Sequence, residues 1–332
     1  MFGLLAGGRR MAALAIGATG LMMLGAGCAW QPTPTSELGA ELTKIKVTNP
    51  SNMSNVPLYI GIKEGFFAEE GLEIEAGIDL GAGSTVEAVI GGQVDMAWVN
   101  TGGALTPFGE GIDINLVVLT DRGTPGNLQV VVKEDSPLKE LADLQGKKLA
   151  VLSPSTTCVW LVKSALAAQG LDPESVTMSV VSPPEHAIVL DTGQVDATCT
   201  TDPTRTAMVQ ELGVRSIFDP AKEGVEAQRS YPVGGYVVSG KYAAEHKDEL
   251  HAFQRALAKS ASWANAHPDE VRATLTTLAS VDSEVAAAVT LPDFVEEVGV
   301  AGLESEIQMV VDATYETGIS ETKIDQKGFL FN

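Results

Sequence analysis

Basic residues are scarce in this chain. Across 332 residues, 22 Lys+Arg stand against 43 Asp+Glu, for a formal net charge of -21. Phosphate contacts need clustered Lys and Arg, so no nucleic-acid partner is expected. Three cysteines are too few for a disulfide-stapled scaffold or a four-cysteine zinc site. Four histidines lie scattered without an HExxH or comparable spacing, so neither a metal site nor a cofactor is expected. Gly81-Ala82-Gly83 lacks the third glycine of a dinucleotide loop, and neither a Walker lysine motif nor a GxSxG elbow occurs. What the chain does have is apolar material. At 45% hydrophobic it is no disordered polymer, and its length allows roughly two domains.

The N-terminus reads as an export signal over 1–27. Arg9 and Arg10 precede an apolar run at 11–24, which is shorter than the roughly 20 residues of a membrane span. Gly25-Ala26-Gly27 then lead into Cys28. This ending resembles a bacterial lipobox, whose Cys is lipidated and becomes the new N-terminus. It departs from that pattern in placing Leu24 four residues before the Cys rather than three. Plain secretion with cleavage nearby is the alternative. Residues 28–43 are rich in Pro, Thr and Ser and read as a flexible tether. No later stretch is apolar enough to span a membrane. Outside the cytoplasm Cys158 and Cys199 can pair or stay as buried thiols, and spacing does not decide which.

From residue 44 onward, short apolar strands alternate with helices. Strands are expected at 44–49, 72–78, 96–100, 115–121 and 128–133, with helices at 59–70 and 84–90. The pattern restarts with strands at 148–152, 176–181, 195–201 and 214–218 around helices at 157–169 and 184–192. A last strand at 236–239 leads into an almost wholly helical stretch, 241–318. Such alternation implies parallel sheets covered on both faces. Gly92-Gln93-Val94-Asp95 recurs as Gly193-Gln194-Val195-Asp196, each time closing a helix and opening a strand. The expected fold is therefore α/β, with two doubly wound lobes joined by a two-crossing hinge and a helical C-terminal region. Lobe 1 is drawn as 44–132 and 235–332, and lobe 2 as 133–234. Ligands of such sheets sit beyond the carboxyl ends of the strands.

Several segments then point to a family. Residues 57–74 (PLYIGIKEGFFAEEGLEI) resemble the opening of the substrate-binding proteins of nitrate/sulfonate/taurine ABC importers, a group that includes the thiamine-pyrimidine binders. The runs 81–95 (GAGSTVEAVIGGQVD), 143–151 (DLQGKKLAV) and 155–157, and Gly193–Ala197 followed by Asp202-Pro203, fit in order and spacing. The resemblance implies a type II periplasmic-binding-protein fold that captures a small polar or anionic solute, sulfonate-like, nitrate-like, taurine-like or pyrimidine-like. It implies permease and ATPase partners, a monomeric receptor tied to the membrane through Cys28, and no catalysis. The alternatives are a ligand-presenting sensor lipoprotein on the same fold, or a thiamine-pyrimidine synthase-like enzyme. The Cys-rich segment of that enzyme is absent here.

Candidate ligand contacts follow from helix starts, where unpaired N–H groups and a partial positive charge suit a polar or anionic group. Three such starts follow strands: Gly83-Ser84-Thr85, Thr101-Gly102-Gly103 and Ser155-Thr156-Thr157, with Asn100 a further candidate at the polar end of the strand before the second. Simple N-capping is the competing role for each. Ser54 and Asn55 are further candidates. Arg122 follows an apolar strand and either pairs with an anion or is an ordinary loop Arg. Thr201 and Asp202 end another strand. A cleft carboxylate at Asp202 would favour an ammonium or N–H donor, whereas Asp followed by Pro203 also suits a helix cap. Tyr231 precedes the return crossing and, like Trp98, offers a ring for stacking. His186 has no evident partner and is not read as a catalyst.

Overall fold

The computed structural model describes residues 42–78 and 85–331. The export signal, Cys28, most of the tether, and Gly83 and Ser84 lie outside the described residues. Eleven strands are labelled in chain order among those described: β1 (Thr43–Thr48), β2 (Leu72–Ala76), β3 (Met96–Asn100), β4 (Ile114–Arg122), β5 (Leu128–Val132), β6 (Lys148–Val151), β7 (Thr177–Val180), β8 (Ala197–Thr201), β9 (Arg215–Phe218), β10 (Pro232–Ser239) and β11 (Asp293–Phe294). They form two sheets, ordered β11-β4-β10-β3-β1-β2 and β7-β6-β8-β5-β9.

The two sheets repeat one plan. In each, a central strand pairs in parallel with two neighbours (β1 with β2 and β3, β6 with β7 and β8). Beyond β3 and β8 comes an antiparallel strand, β10 in the first sheet and β5 in the second, followed by β4 or β9. Alternation in the sequence suggested purely parallel sheets. The antiparallel insertions arise because each connecting segment delivers its strand to the other sheet. The chain leaves the first sheet after Arg122, enters the second at Leu128, leaves it after Phe218 and returns at Pro232, so the change of sheet precedes β5.

The recurring Gly-Gln-Val-Asp tetrapeptide has a physical basis in this plan. Gly92 and Gly193 adopt φ of 69° and 70°, a left-handed turn that stops a helix and that a Cβ disfavours. The Gln N–H groups then bond back to Ala88 O and Val189 O at 2.9 Å. Val94 and Val195 are buried. Asp95 Oδ2 accepts from Lys46 N, and Asp196 Oδ2 from Lys148 N, each at 2.8 Å. In both sheets the same four residues end a helix, plug the core and pin the next strand to the central one.

The helices that cover the sheets follow from amphipathic spacing. Helix Lys247–Ala266 buries Leu250, Phe253, Leu257, Ala261 and Ala264, with Phe253 packed on Phe67 at 5.3 Å. Burying one such side chain contributes roughly 2 kcal/mol. The helix expected at 59–70 is two pieces, Val56–Lys63 and Phe66–Glu69. The break falls at Gly65, whose φ is 79°. Residues 240–316 are mainly helical, as composition suggested, with β11 as the exception.

Candidate functional site

The carboxyl ends of β3, β4 and β8 and the start of helix Thr157–Ala168 converge on a cavity of about 670 Å3. The first sheet and its helices contribute Ser54, Trp98, Asn100 and Asp121 to the wall, and the second contributes Thr156, Thr157, His186, Thr200, Thr201 and Asp202. Much of the rest is apolar: Met53, Leu128, Leu152, Cys158, Cys199, Met208 and Val233. The two cysteines form a disulfide between helix Thr157–Ala168 and β8, which settles the question left open by their spacing.

Seven of the residues singled out in the sequence as ligand contacts line this cavity: Ser54, Trp98, Asn100, Thr156, Thr157, Thr201 and Asp202. Asn100 Oδ1 accepts from Gly103 N at 2.8 Å, so it caps helix Thr101–Gly109 while facing the cavity. Thr156 turns its hydroxyl back to Ser153 O at 3.1 Å, leaving helix Thr157–Ala168 without a side-chain cap. Thr157 donates to Val233 O at 3.2 Å, across to β10. Asp202 is buried and fully engaged. Its Oδ1 accepts from Thr206 N at 3.0 Å and from the Thr206 hydroxyl at 2.6 Å. Its Oδ2 accepts from Arg205 Nη2 and Thr290 N, both at 2.8 Å. These bonds give Asp202 the capping role.

The remaining candidates sit elsewhere. Asn55 is fully buried behind the wall, where its Oδ1 accepts from the Tyr236 hydroxyl at 2.6 Å. Thr85 begins helix Thr85–Ile90 and is not part of the lining. Thr101 is buried and turned to Pro232 O, and Ser155 belongs to the turn ahead of Thr157 without lining the cavity. Arg122 points away, bonded to Glu306 at 2.8 Å and Glu297 at 3.1 Å. These two carboxylates raise its pKa further and leave it no anion-binding role in the cavity. Tyr231 is buried edge-to-face against Trp160 and does not reach the cavity.

Asp121 is the residue that sequence reading passed over. It stands at the end of the buried run of β4, 2% exposed, in the cavity wall. Its Oδ2 accepts from the Ser54 hydroxyl at 2.9 Å and its Oδ1 from the Thr120 hydroxyl at 2.8 Å. Thr120 in turn accepts from Trp98 Nε1 at 2.9 Å. The flat approach of the Trp98 ring needs a glycine beneath it, since a Cβ on Gly234 would lie 2.4 Å from the ring. Burial drives the Asp121 carboxyl up to about 7, with the two hydroxyls opposing it only in part. His186 Nε2–H donates to Val181 O at 3.2 Å, and burial lowers its pKa, favouring the neutral ring. No group of three His, Cys, Asp or Glu among the described residues is placed to hold a metal ion.

Two α/β sheets joined by two connections, with a cavity at the ends of their strands, define the fold of a periplasmic binding protein. The periplasmic aliphatic sulphonate binding protein SsuA from Escherichia coli matches with a TM-score of 0.70 at 18% identity, over 87% of this chain and 92% of that one. The chain belongs to the NMT1/THI5-like family, whose model matches residues 52–271. It is also 25% identical over 300 residues to a protein of Bacillus subtilis (strain 168) named for binding aliphatic sulfonates, covering 88% of this chain and 87% of that protein. The same fold serves a desulfurization enzyme, matched at a TM-score of 0.60 and 14% identity over 87% of this chain and 96% of that one.

Proposed function

We propose that the protein is an extracytoplasmic receptor that captures a small organic solute between its two sheets and delivers it, unchanged, to the permease and ATPase of an ABC importer. The cavity carries this reading. Its volume of about 670 Å3 suits a small organic molecule, and both sheets wall it. Each sheet is the centre of one lobe in this reading, and the connections 123–127 and 219–231 act as the hinge. Closure then requires a ligand that touches both lobes, because only differential affinity for the closed form shifts the population. The family membership and the relatives named for sulfonate binding support a solute-binding role. Lipidation of Cys28 would hold the receptor at the membrane face, where one copy serves one permease.

The test begins by equilibrating the protein with spent growth medium and identifying the retained solute by mass spectrometry. Added back to stripped protein, that solute should shrink the radius of gyration in small-angle scattering and be recovered intact. A product of altered mass would make the protein an enzyme, a role this fold can host. Unchanged scattering would remove hinge closure. Uptake of the labelled solute should fall in cells lacking the protein, and undiminished uptake would favour a sensor. Palmitate labelling that survives Cys28→Ala would dismiss the anchor.

A further inference from the structure

The charge inventory of the cavity is lopsided. None of the described residues that line it is Lys or Arg. The nearby cations are committed elsewhere: Arg205 to Asp202, and Arg122 to Glu297 and Glu306. His186 adds no charge near pH 7, since burial favours its neutral form. The two aspartates in the wall therefore differ. Asp202 has a guanidinium, two backbone N–H groups and a hydroxyl, whereas Asp121 has only two hydroxyls. A buried carboxylate without a counter-charge is costly, and burial accordingly holds its pKa near neutrality.

Resting on the receptor reading above, we propose that Asp121 is the recognition point for a positively charged nitrogen, an ammonium or amidinium, carried on an apolar solute body. Such a group supplies the counter-charge that Asp121 lacks and uses the free lone pairs left beside the Ser54 and Thr120 bonds. The body of the solute lies against Trp98, Met53, Met208 and the Cys158–Cys199 bridge, surfaces with no polar demand. A sulfonate would meet the same pocket with a like charge and no cationic side chain to hold it. What would favour it is the uncapped start of helix Thr157–Ala168 together with neutral donors of the wall such as Thr200 and Thr201.

The competing chemistry is a protonated Asp121 that donates a hydrogen bond to an anion, and one substitution separates the two. Asp121→Asn keeps the shape and puts an N–H donor where the protonated acid has its O–H, but abolishes the charge. The experiment titrates wild type, Asp121→Asn and Asp121→Glu with a panel of linear, monocyclic and bicyclic bodies, each offered as amine, amidine, alcohol and sulfonate. Thermal melts of each variant first establish that it is folded. We expect binding within the amines and amidines. Their affinity should fall roughly ten- to hundred-fold in Asp121→Asn and be substantially retained in Asp121→Glu. Cation binding that is equal in Asp121→Asn overturns the proposal. So does sulfonate binding stronger than that of the matched alcohol, or a panel in which no amine or amidine binds. A sulfonate that binds and closes the lobes would leave the receptor reading standing and remove only the assignment of ligand class. A cation that binds at Asp121 without closing the lobes would do the reverse.

Discussion

An unpaired buried carboxylate should write itself into the pH dependence of stability. The Asp121 carboxyl stands at about 7 in the folded protein against 3.8 as its ordinary value. Between those two pH values the native state holds a proton that the unfolded chain has released. Stability therefore falls as pH rises through this window and levels off above about pH 7. Each pKa unit corresponds to about 1.4 kcal/mol, so the loss approaches about 4 kcal/mol as an upper bound. For a chain of this length that is a drop in Tm on the order of 8 °C. Other groups also titrate here, so the quantity to measure is the difference between wild type and Asp121→Asn, in matched thermal melts from about pH 4 to about pH 8. Asp121→Asn should be indistinguishable from or slightly less stable than wild type at the acid end, and clearly more stable at the alkaline end. Parallel profiles for the two proteins would mean that Asp121 is solvated or paired in solution, and would remove the physical basis for reading it as a charge awaiting a partner.

Other outcomes can be stated more briefly. Reduction of Cys158–Cys199, separated by 41 residues, should cost about 4 kcal/mol in the loop-entropy model; a denaturant midpoint unmoved by reductant would refute it. Asp202→Ala should destabilise the fold by about 3 kcal/mol, since it strands the Arg205 guanidinium and uncaps the helix after Pro203; loss of ligand affinity at unchanged stability would contradict the capping role. Gly92→Ala and Gly193→Ala should each cost about 1 kcal/mol at their left-handed positions, and strongly unequal costs in urea titrations would argue against equivalent roles for the two tetrapeptides.

The fold was legible because its signals are local. Apolar runs bounded by glycine mark the strands, and the repeated Gly-Gln-Val-Asp marks the repeated plan, since backbone conformation, plug and strand pin are all carried by those four residues. What was not legible is which sheet a strand joins. β5 and β10 read as ordinary apolar segments, and their antiparallel placement depends on where the connections land, a matter of tertiary packing.

Charge at the site was harder to read for a related reason. Arg122 and Asp202 stood out as the ionic candidates because one follows a strand and the other ends one. Arg122 is neutralised by carboxylates remote in sequence, Glu297 and Glu306, and Asp202 by Arg205 one helical turn on, with the remote Thr290 N–H adding a further bond. Asp121, one residue before Arg122, was hidden inside an apolar strand, and it is the buried acid of the wall that no cation reaches, Glu211 being a wall acid exposed to solvent. The residues whose type announces electrostatic recognition are thus occupied in holding the structure. Ligand discrimination falls to the group left over once those pairings are made. A sequence signal for it does exist: a single carboxylate closing a run of buried β-branched and leucine residues, where solvation is withdrawn and no neighbour along the strand can restore it.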